Sequence, residues 1–469
     1  MQDWLHSLDH TMPELIREAA RRYGAETFLV GEDGAEVSFS ELNARSARVA
    51  TGLLARGVAY GDRIAVWAPN SPDWVIAACA AQRIGAVLVP INTRFKGREA
   101  GYVLGRCRAR AIFTLSGFLG VNYVEALAEA CGGWSDAGRI RDLPDLVDII
   151  VFDGDGGEED RWKALLGHQV DETALAAAET RVRPDTVCDL LFTSGTTGLP
   201  KGAQHAHGQA LWMVAQWNAA NNLRRGDRMV IINPFFHSFG YRSGWVSALL
   251  AGASAYPTAV FDAAGALALI QDRGITVLMG SPTLFFSLLD HPDRAAFDLG
   301  SLRVGHTGSA NVPVDLIRRA RDELGFTVFL TSFGLTESTA LVSVNQPEDD
   351  FETIARTVGR PLPGVELRII APDGRALPNG EAGELLVRGP NVMLGYFEDP
   401  DATAAAIDAE GFLHTGDVGV VGQDGLLRIV DRLKDVVIVG GFNAYPAEIE
   451  TVLREHPAIA EIAVVGAPD

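Results

Sequence analysis

The feature that most restricts the fold is a set of short strand-like segments that are apolar on both faces. Arg63-Ile64-Ala65-Val66-Trp67-Ala68 and Ala86-Val87-Leu88-Val89-Pro90 do not alternate polar with apolar residues. A strand with one wet face alternates, whereas one apolar throughout has to be covered on both sides, as in parallel sheets flanked by helices. The segments around them have helical spacing: Leu42, Val49 and Leu53 share a face with the small Ser46, and a second helical stretch runs from Trp74 to Arg83. The rhythm returns at Asp227 to Asn233, Ile275 to Met279 and Val328 to Leu330, so the body is expected to be α/β, two doubly wound units.

Past residue 360 the pattern changes. Glu366-Leu367-Arg368-Ile369-Ile370, Gly383-Glu384-Leu385-Leu386-Val387-Arg388 and Leu426-Leu427-Arg428-Ile429-Val430 are short strands separated by turn signals such as Pro372-Asp373-Gly374 and Gln423-Asp424-Gly425. An antiparallel sheet or β-barrel-like subdomain is expected at about 360–430, completing a large N-terminal domain over 1–432. After Asp431-Arg432 a new α+β unit begins, with Pro446 at a first helical position and Ile449, Val452 and Leu453 as an apolar stripe. Its 37 residues, 433–469, are thin for an independent domain and are expected to be the incomplete start of one. The acidic stretch Asp153 to Asp160 is expected to be a solvated loop.

The 469 residues leave room for about three folding units of ~150 residues. Forty Lys+Arg against 60 Asp+Glu give a net charge of -20, which opposes nucleic-acid binding because tracking phosphates needs a basic excess. No apolar run approaches the ~18 residues of a membrane span, and Met1 to His10 lacks the basic-then-apolar block of a secretory signal. Cys79, Cys107, Cys131 and Cys188 have no CxxC or framework spacing and are expected to be buried small hydrophobes in a reducing cytoplasm. Lysine occurs only at Lys96, Lys163, Lys201 and Lys434, so a lysine inside a motif hints at a need for a compact ammonium on a flexible stem.

One such lysine ends Leu191-Phe192-Thr193-Ser194-Gly195-Thr196-Thr197-Gly198-Leu199-Pro200-Lys201-Gly202, where an apolar strand runs into a loop of hydroxyls and glycines. Glycines let backbone N–H groups converge on an anion, hydroxyls add donors, and an ammonium balances phosphate charge. The string is not a Walker A loop, since Pro200 and Gly202 flank Lys201 where GK[ST] is required. A flexible surface loop is the bland alternative.

Four further segments stand in order: Phe333-Gly334-Leu335-Thr336-Glu337, Thr415-Gly416-Asp417, Asp431-Arg432-Leu433-Lys434-Asp435 and Gly440-Gly441-Phe442-Asn443. With the phosphate-loop string they make nearly the whole chain, from about residue 10, resemble the acyl-adenylate-forming superfamily of acyl-CoA synthetases, peptide-synthetase adenylation domains and beetle luciferases. The resemblance implies that Thr193, Ser194, Gly195, Thr196, Thr197, Gly198 and Lys201 handle ATP phosphates. It implies adenine and carboxylate contacts at Gly308, Ser309 and Ala310, and adenine stacking on Phe333 within Thr331, Ser332, Phe333 and Gly334. Thr336 and Glu337 would serve catalysis, with Glu337 holding Mg²⁺, and Asp417 would take the ribose hydroxyls with Arg432 near ribose and phosphate. Lys434 would be the pivot of a swinging C-terminal lid, and Gly440 and Gly441 would line the pantetheine tunnel of CoA. Asn233 to Gly240 resembles the segment that lines an acyl pocket and gates it, here with His237; Tyr241, Gly280, Ser281 and Gly305 are further pocket candidates.

The residues make sense on their own terms too. A carboxylate at Asp417, expected on a turn, can accept both ribose hydroxyls, although an Asp in a turn is unremarkable. Glu337 follows a strand at the carboxyl edge where open α/β sheets place ligands, and a hard oxygen suits Mg²⁺; a solvated glutamate is the alternative. His237 could equally sit in a core aromatic cluster.

The expected activity is an ATP-dependent acyl-CoA synthetase, similar to actinobacterial fatty-acid and steroid-degradation CoA ligases through Asn233 to Tyr241 and Pro390 to Tyr396. Its partners would be a carboxylic acid, ATP, Mg²⁺ and CoA, with room for a homodimer. An acyl-AMP ligase, a carrier-protein adenylation enzyme and a non-catalytic adenylate-binding module remain open. The last draws on the family's late C-terminal lysine, which has no counterpart after Lys434 and suggests a truncated chain impaired in adenylation.

Overall fold

The computed structural model describes residues 7–154, 160–193, 199–308 and 312–434, and beyond these 437–439, 442–444, 446, 449–450, 453, 459 and 462–465. The chain divides into two units, one of 1–261 with 393–399 and one of 262–392 with 400–469.

The first unit holds a seven-stranded sheet in the order Gly395–Tyr396, Lys201–Ala206, Val187–Thr193, Val87–Pro90, Arg63–Trp67, Ala109–Thr114, Asp148–Val151. Its five central and far strands run parallel, while Val187–Thr193 and Lys201–Ala206 form an antiparallel hairpin at the other side. Val87–Pro90 is buried at every position, as two-sided covering requires. The helix Pro72–Arg83 starts on a Ser71 cap with proline in its first turn and is buried from Trp74 onward. Phe39–Ala55 begins with a capping box made by Ser38 and Glu41. A further group in this unit joins Arg228–Ile231, Ser254–Pro257 and Thr27–Val30 in parallel and adds Glu36–Ser38 antiparallel.

The second unit has the parallel strands Val277–Gly280, Val304–Thr307 and Val328–Phe333, extended antiparallel by Ser343–Val344 and Arg360–Pro361. A separate antiparallel sheet follows, in the order Glu366–Ile370, Gly383–Arg388, Leu413–Val421, Leu427–Arg432. The antiparallel, barrel-like subdomain expected over 360–430 is an antiparallel sheet of four strands that stays open: its two outer strands do not pair. Asp160, read as part of a solvated loop, caps the helix Arg161–Leu166. All four cysteines are buried and unpaired. No described helix is long and apolar enough to cross a membrane.

Candidate active site

In the first unit the hairpin presents the phosphate-loop string. Thr193 and Lys201 are directly paired at its loop end, while Ser194, Gly195, Thr196, Thr197 and Gly198 lie outside the described residues. The Lys201 ammonium lies 5.3 Å from the ring centroid of Tyr396, which sits on the neighbouring strand opposite Ala203. A cation over an aromatic face is attracted by the negative face of the ring quadrupole. The hairpin is anchored by a buried charge cluster whose Asp189 and His205 each lie four residues along their strand from Thr193 and Lys201. Asp189 accepts from Arg242 Nη2 at 2.7 and 2.8 Å and lies 2.8 Å from His205 Nδ1. Burial alone would raise the Asp189 carboxyl, but Arg242 and His205 outweigh it and hold it well below the ordinary carboxylate range.

His237 caps the short helical turn Ser238–Gly240 by accepting from Phe239 N at 3.2 Å. The residue is exposed, and partial desolvation of the ring lowers its pKa. Gly240 lets this loop fold back, since a Cβ there would come within 2.1 Å of the Asn233 carbonyl. A π-helical segment, Tyr241–Val246, follows, of a kind frequent at functional sites. Tyr241 is buried, with its hydroxyl accepting from Gln82 Nε2 at 2.6 Å.

In the second unit Thr331, Ser332 and Phe333 end the strand Val328–Phe333, and Thr336 to Ser338 form one 3-10 turn that carries Glu337. The Thr331 hydroxyl is turned inward to the carbonyls of Ile354 and Thr357 at 3.0 and 3.1 Å. The Ser332 hydroxyl pairs at 2.9 Å with His306, whose pKa desolvation lowers to about 3. Gly308 is buried, whereas Ser309 and Ala310 lie outside the described residues. Gly305, a pocket candidate, packs against Phe329, where a Cβ would meet the ring at 2.3 Å, and Ser281 caps the helix Pro282–Leu289.

Asp417 is not on a turn, as its sequence neighbours suggest, but inside the strand Leu413–Val421, across from Arg432. The difference lies in Gly416, whose φ of 68° kinks a strand that tertiary pairing keeps continuous. The Asp417 carboxylate is buried and accepts from Arg432 Nε at 2.8 Å. Burial raises its pKa from 3.8 to about 6, with the Arg432 charge opposing and the Glu337 charge adding to the rise. Asp417, Arg432 and Glu337 are thus brought together. Lys434 is exposed just past the strand end, where Leu433 N donates to the Gly416 carbonyl at 2.9 Å. Gly440 and Gly441 lie outside the described residues, between the paired strands Val437–Val439 and Phe442–Ala444.

The family model for AMP-binding enzymes matches residues 16–397. This chain belongs to the AMP-binding enzyme family. Among curated relatives of this AMP-binding enzyme, the 3-[(3aS,4S,7aS)-7a-methyl-1,5-dioxo-octahydro-1H-inden-4-yl]propanoyl:CoA ligase of Rhodococcus jostii is 43% identical, over 98% of this chain and 86% of its own. The ligase of the same name from Mycobacterium tuberculosis is 44% identical over 98% and 86%. Among solved structures, the anthranilate CoA ligase AuaEII in complex with anthranoyl-AMP matches with a TM-score of 0.85 at 25% identity, over 98% of this chain and 84% of that one. A fatty acyl CoA synthetase of M. tuberculosis matches at 0.82 and 27%, over 98% and 86%.

The enzyme is accordingly an AMP-forming acyl-CoA ligase that uses ATP with Mg²⁺, CoA and a carboxylic acid. Mg²⁺ bound with a nucleotide needs only one or two protein carboxylates beside phosphate oxygens and water. Glu337, a carboxylate on the 3-10 turn whose charge acts on the nearby Asp417, is of the residue type that could supply one of them. Sequence reasoning missed Tyr396, His306 and the Asp189 cluster. Only Tyr396 carried a signal, its place in the Pro390 to Tyr396 segment.

Proposed function

We propose that this ligase activates a bulky, oxygenated polycyclic propanoate like the bicyclic dione acid named for its two relatives, at 43 and 44% identity. In the first half-reaction a carboxylate oxygen of the acid bonds to the α-phosphorus of ATP. The bond to the bridging oxygen breaks and pyrophosphate leaves. In the second, the CoA sulfur, having lost its proton, bonds to the acyl carbon and AMP departs with the electron pair of the mixed anhydride. The protein's part is positioning and charge neutralisation, with no covalent enzyme intermediate.

In this reading Thr193, Ser194, Gly195, Thr196, Thr197, Gly198 and Lys201 hold the phosphates, with Lys201 leaving Tyr396 to do so. Gly308, Ser309, Ala310, Thr331, Ser332, Phe333 and Gly334 face adenine and the reacting carboxylate, the inward Thr331 hydroxyl acting through its backbone. Asp417 accepts from the ribose hydroxyls beside Arg432, and Thr336 and Glu337 serve the phosphates. When bound, Mg²⁺ supplies charge neutralisation for the departing pyrophosphate. A neutral His237 gates the acyl pocket. Residues 1–432 form the adenylate-forming domain and 433–469 belong to a lid, with Lys434 at the hinge and Gly440 and Gly441 toward pantetheine. The exposure of Lys434 just past a hydrogen-bonded strand end supports a hinge there. Four buried, unpaired cysteines support a reducing, cytoplasmic setting.

The test is single-turnover pyrophosphate release, then CoA-thioester formation, with the bicyclic dione propanoate beside medium-chain fatty acids. The expected result is a kcat/KM at least ~10-fold higher for the bicyclic acid, the discrimination that a shaped pocket provides. Equal or inverted values would refute the substrate reading.

A further inference from the structure

The segment around Asn391 has so far only a resemblance to its credit, yet it meets the turn that carries Glu337. That turn is unusually constrained. Gly334 is approached so closely that a Cβ there would lie 2.0 Å from the Ala340 carbonyl oxygen. Thr339 and Ala340 follow at φ 57° and 84°, and a β-branched residue in the left-handed region is a costly choice where glycine is available. Ala340 N closes back on the Leu335 carbonyl at 3.0 Å and Val342 N on the Phe333 carbonyl at 2.8 Å. The ends of the loop are thereby pinned, with Glu337 between them.

Two hydrogen bonds hold this arrangement from outside. The Thr339 hydroxyl donates to the Asn391 carbonyl at 2.6 Å, and Asn391 Nδ2 donates to the Leu341 carbonyl at 2.8 Å. Both residues are fully buried. Asn391 Oδ1 has no partner among the described residues, a cost that an apolar residue would not carry. Threonine at 339 likewise stands against its backbone preference. Both choices make sense if the clasp is what matters.

We propose that Thr339 and Asn391 are positioning residues which, through this reciprocal clasp, hold the strained turn so that the Glu337 carboxylate stays poised for metal-bound ATP. The inference rests on the reading of Glu337 as the metal-side carboxylate. The rise it causes at Asp417 places its charge beside the ribose residue.

The test is titration calorimetry on the full chain, with ATP over a range of Mg²⁺ concentrations and with AMP, which has no pyrophosphate for the metal to bridge. Thr339→Val removes the hydroxyl and keeps the shape. Thr339→Gly relieves the left-handed strain and removes the clasp. Thr339→Ser restores the hydroxyl. Asn391→Ala removes the second tie, and Glu337→Gln is the reference. Thr339→Val, Thr339→Gly and Asn391→Ala are expected to weaken Mg-ATP binding about 10-fold, with AMP binding within about twofold of the parent and Thr339→Ser near the parent, as the loss of one buried hydrogen bond implies. A merely structural role predicts that Thr339→Gly is neutral, or that ATP and AMP lose affinity together; either result overturns the proposal. If Glu337→Gln weakens Mg-ATP selectively while the clasp variants do not, the clasp is wrong and the Glu337 reading stands. If Glu337→Gln has no selective effect, the Glu337 reading falls and the clasp proposal with it.

Discussion

Replacing Asp417 by Asn should make the ligand-free protein more stable while it binds ATP less well, and the gain should grow with pH. The carboxyl is buried, and its pKa is raised from 3.8 to about 6 although Arg432 lies 2.8 Å away. An acid whose pKa is higher in the folded state favours its protonated form there. Stability relative to an unshifted group is therefore whole below pH 4, falls as pH rises through about 6, and stays lowered above. At about 1.4 kcal/mol per unit the cost is ~3 kcal/mol at pH 7, and on the same linkage ~1.6 kcal/mol at pH 5. Asn keeps the shape and leaves Arg432, more than half exposed, to water. Whatever fixed offset the substitution brings does not depend on pH. Urea unfolding of parent and Asp417→Asn at pH 5 and 7 should therefore show the difference in stability moving by ~1.4 kcal/mol in favour of the variant at the higher pH. The parent should lose ATP affinity as pH falls through about 6, because a protonated carboxyl is a weaker acceptor for ribose hydroxyls, while the variant binds weakly at both pH values. A stability difference that stays flat between pH 5 and 7 would refute the raised pKa. Unchanged ATP affinity in the variant would remove Asp417 from the nucleotide site.

Lys201→Met should slow pyrophosphate release in a single turnover by about 100-fold and leave thioester formation from supplied acyl-AMP within a few-fold, because the ammonium acts on developing phosphate charge; equal slowing of both steps would count against it. Arg242→Met should destabilise the fold by about 3–5 kcal/mol in urea, since it removes the guanidinium paired with the buried Asp189 and leaves that carboxylate with the His205 ring. Full stability in that variant would mean that the buried pair contributes nothing to the fold. Gly334→Ala should cost about 2 kcal/mol or more, because its methyl would lie 2.0 Å from a backbone oxygen rather than a movable side chain; an unchanged urea midpoint would show that the turn can open.

Local pattern alone determined the parallel body of this protein. Val87–Pro90 and Arg63–Trp67 are apolar on both faces, and that property is local because burial on two sides leaves no position for a polar side chain. The antiparallel strands Glu366–Ile370 and Gly383–Arg388 were legible for a similar reason, since glycine, proline and aspartate turns delimit them. The segments around Lys201, Glu337, Asp417 and Arg432 also pointed, through their resemblance, to the family that the whole chain proves to belong to. Tertiary structure decided what neighbours in sequence do not encode. Val304–Thr307 contains a glycine, a histidine and a threonine and does not read as a strand, yet it is buried throughout, and its histidine is satisfied by Ser332 from the next strand. Asp417 looks like a turn residue and is a strand residue because Arg432 and its strand pair with it from a later segment. Asp189 meets Arg242 across 53 positions and Thr339 meets Asn391 across 52. Partners that far apart come together only when the chain has packed, and burial then sets whether their charges and hydrogen bonds are strong.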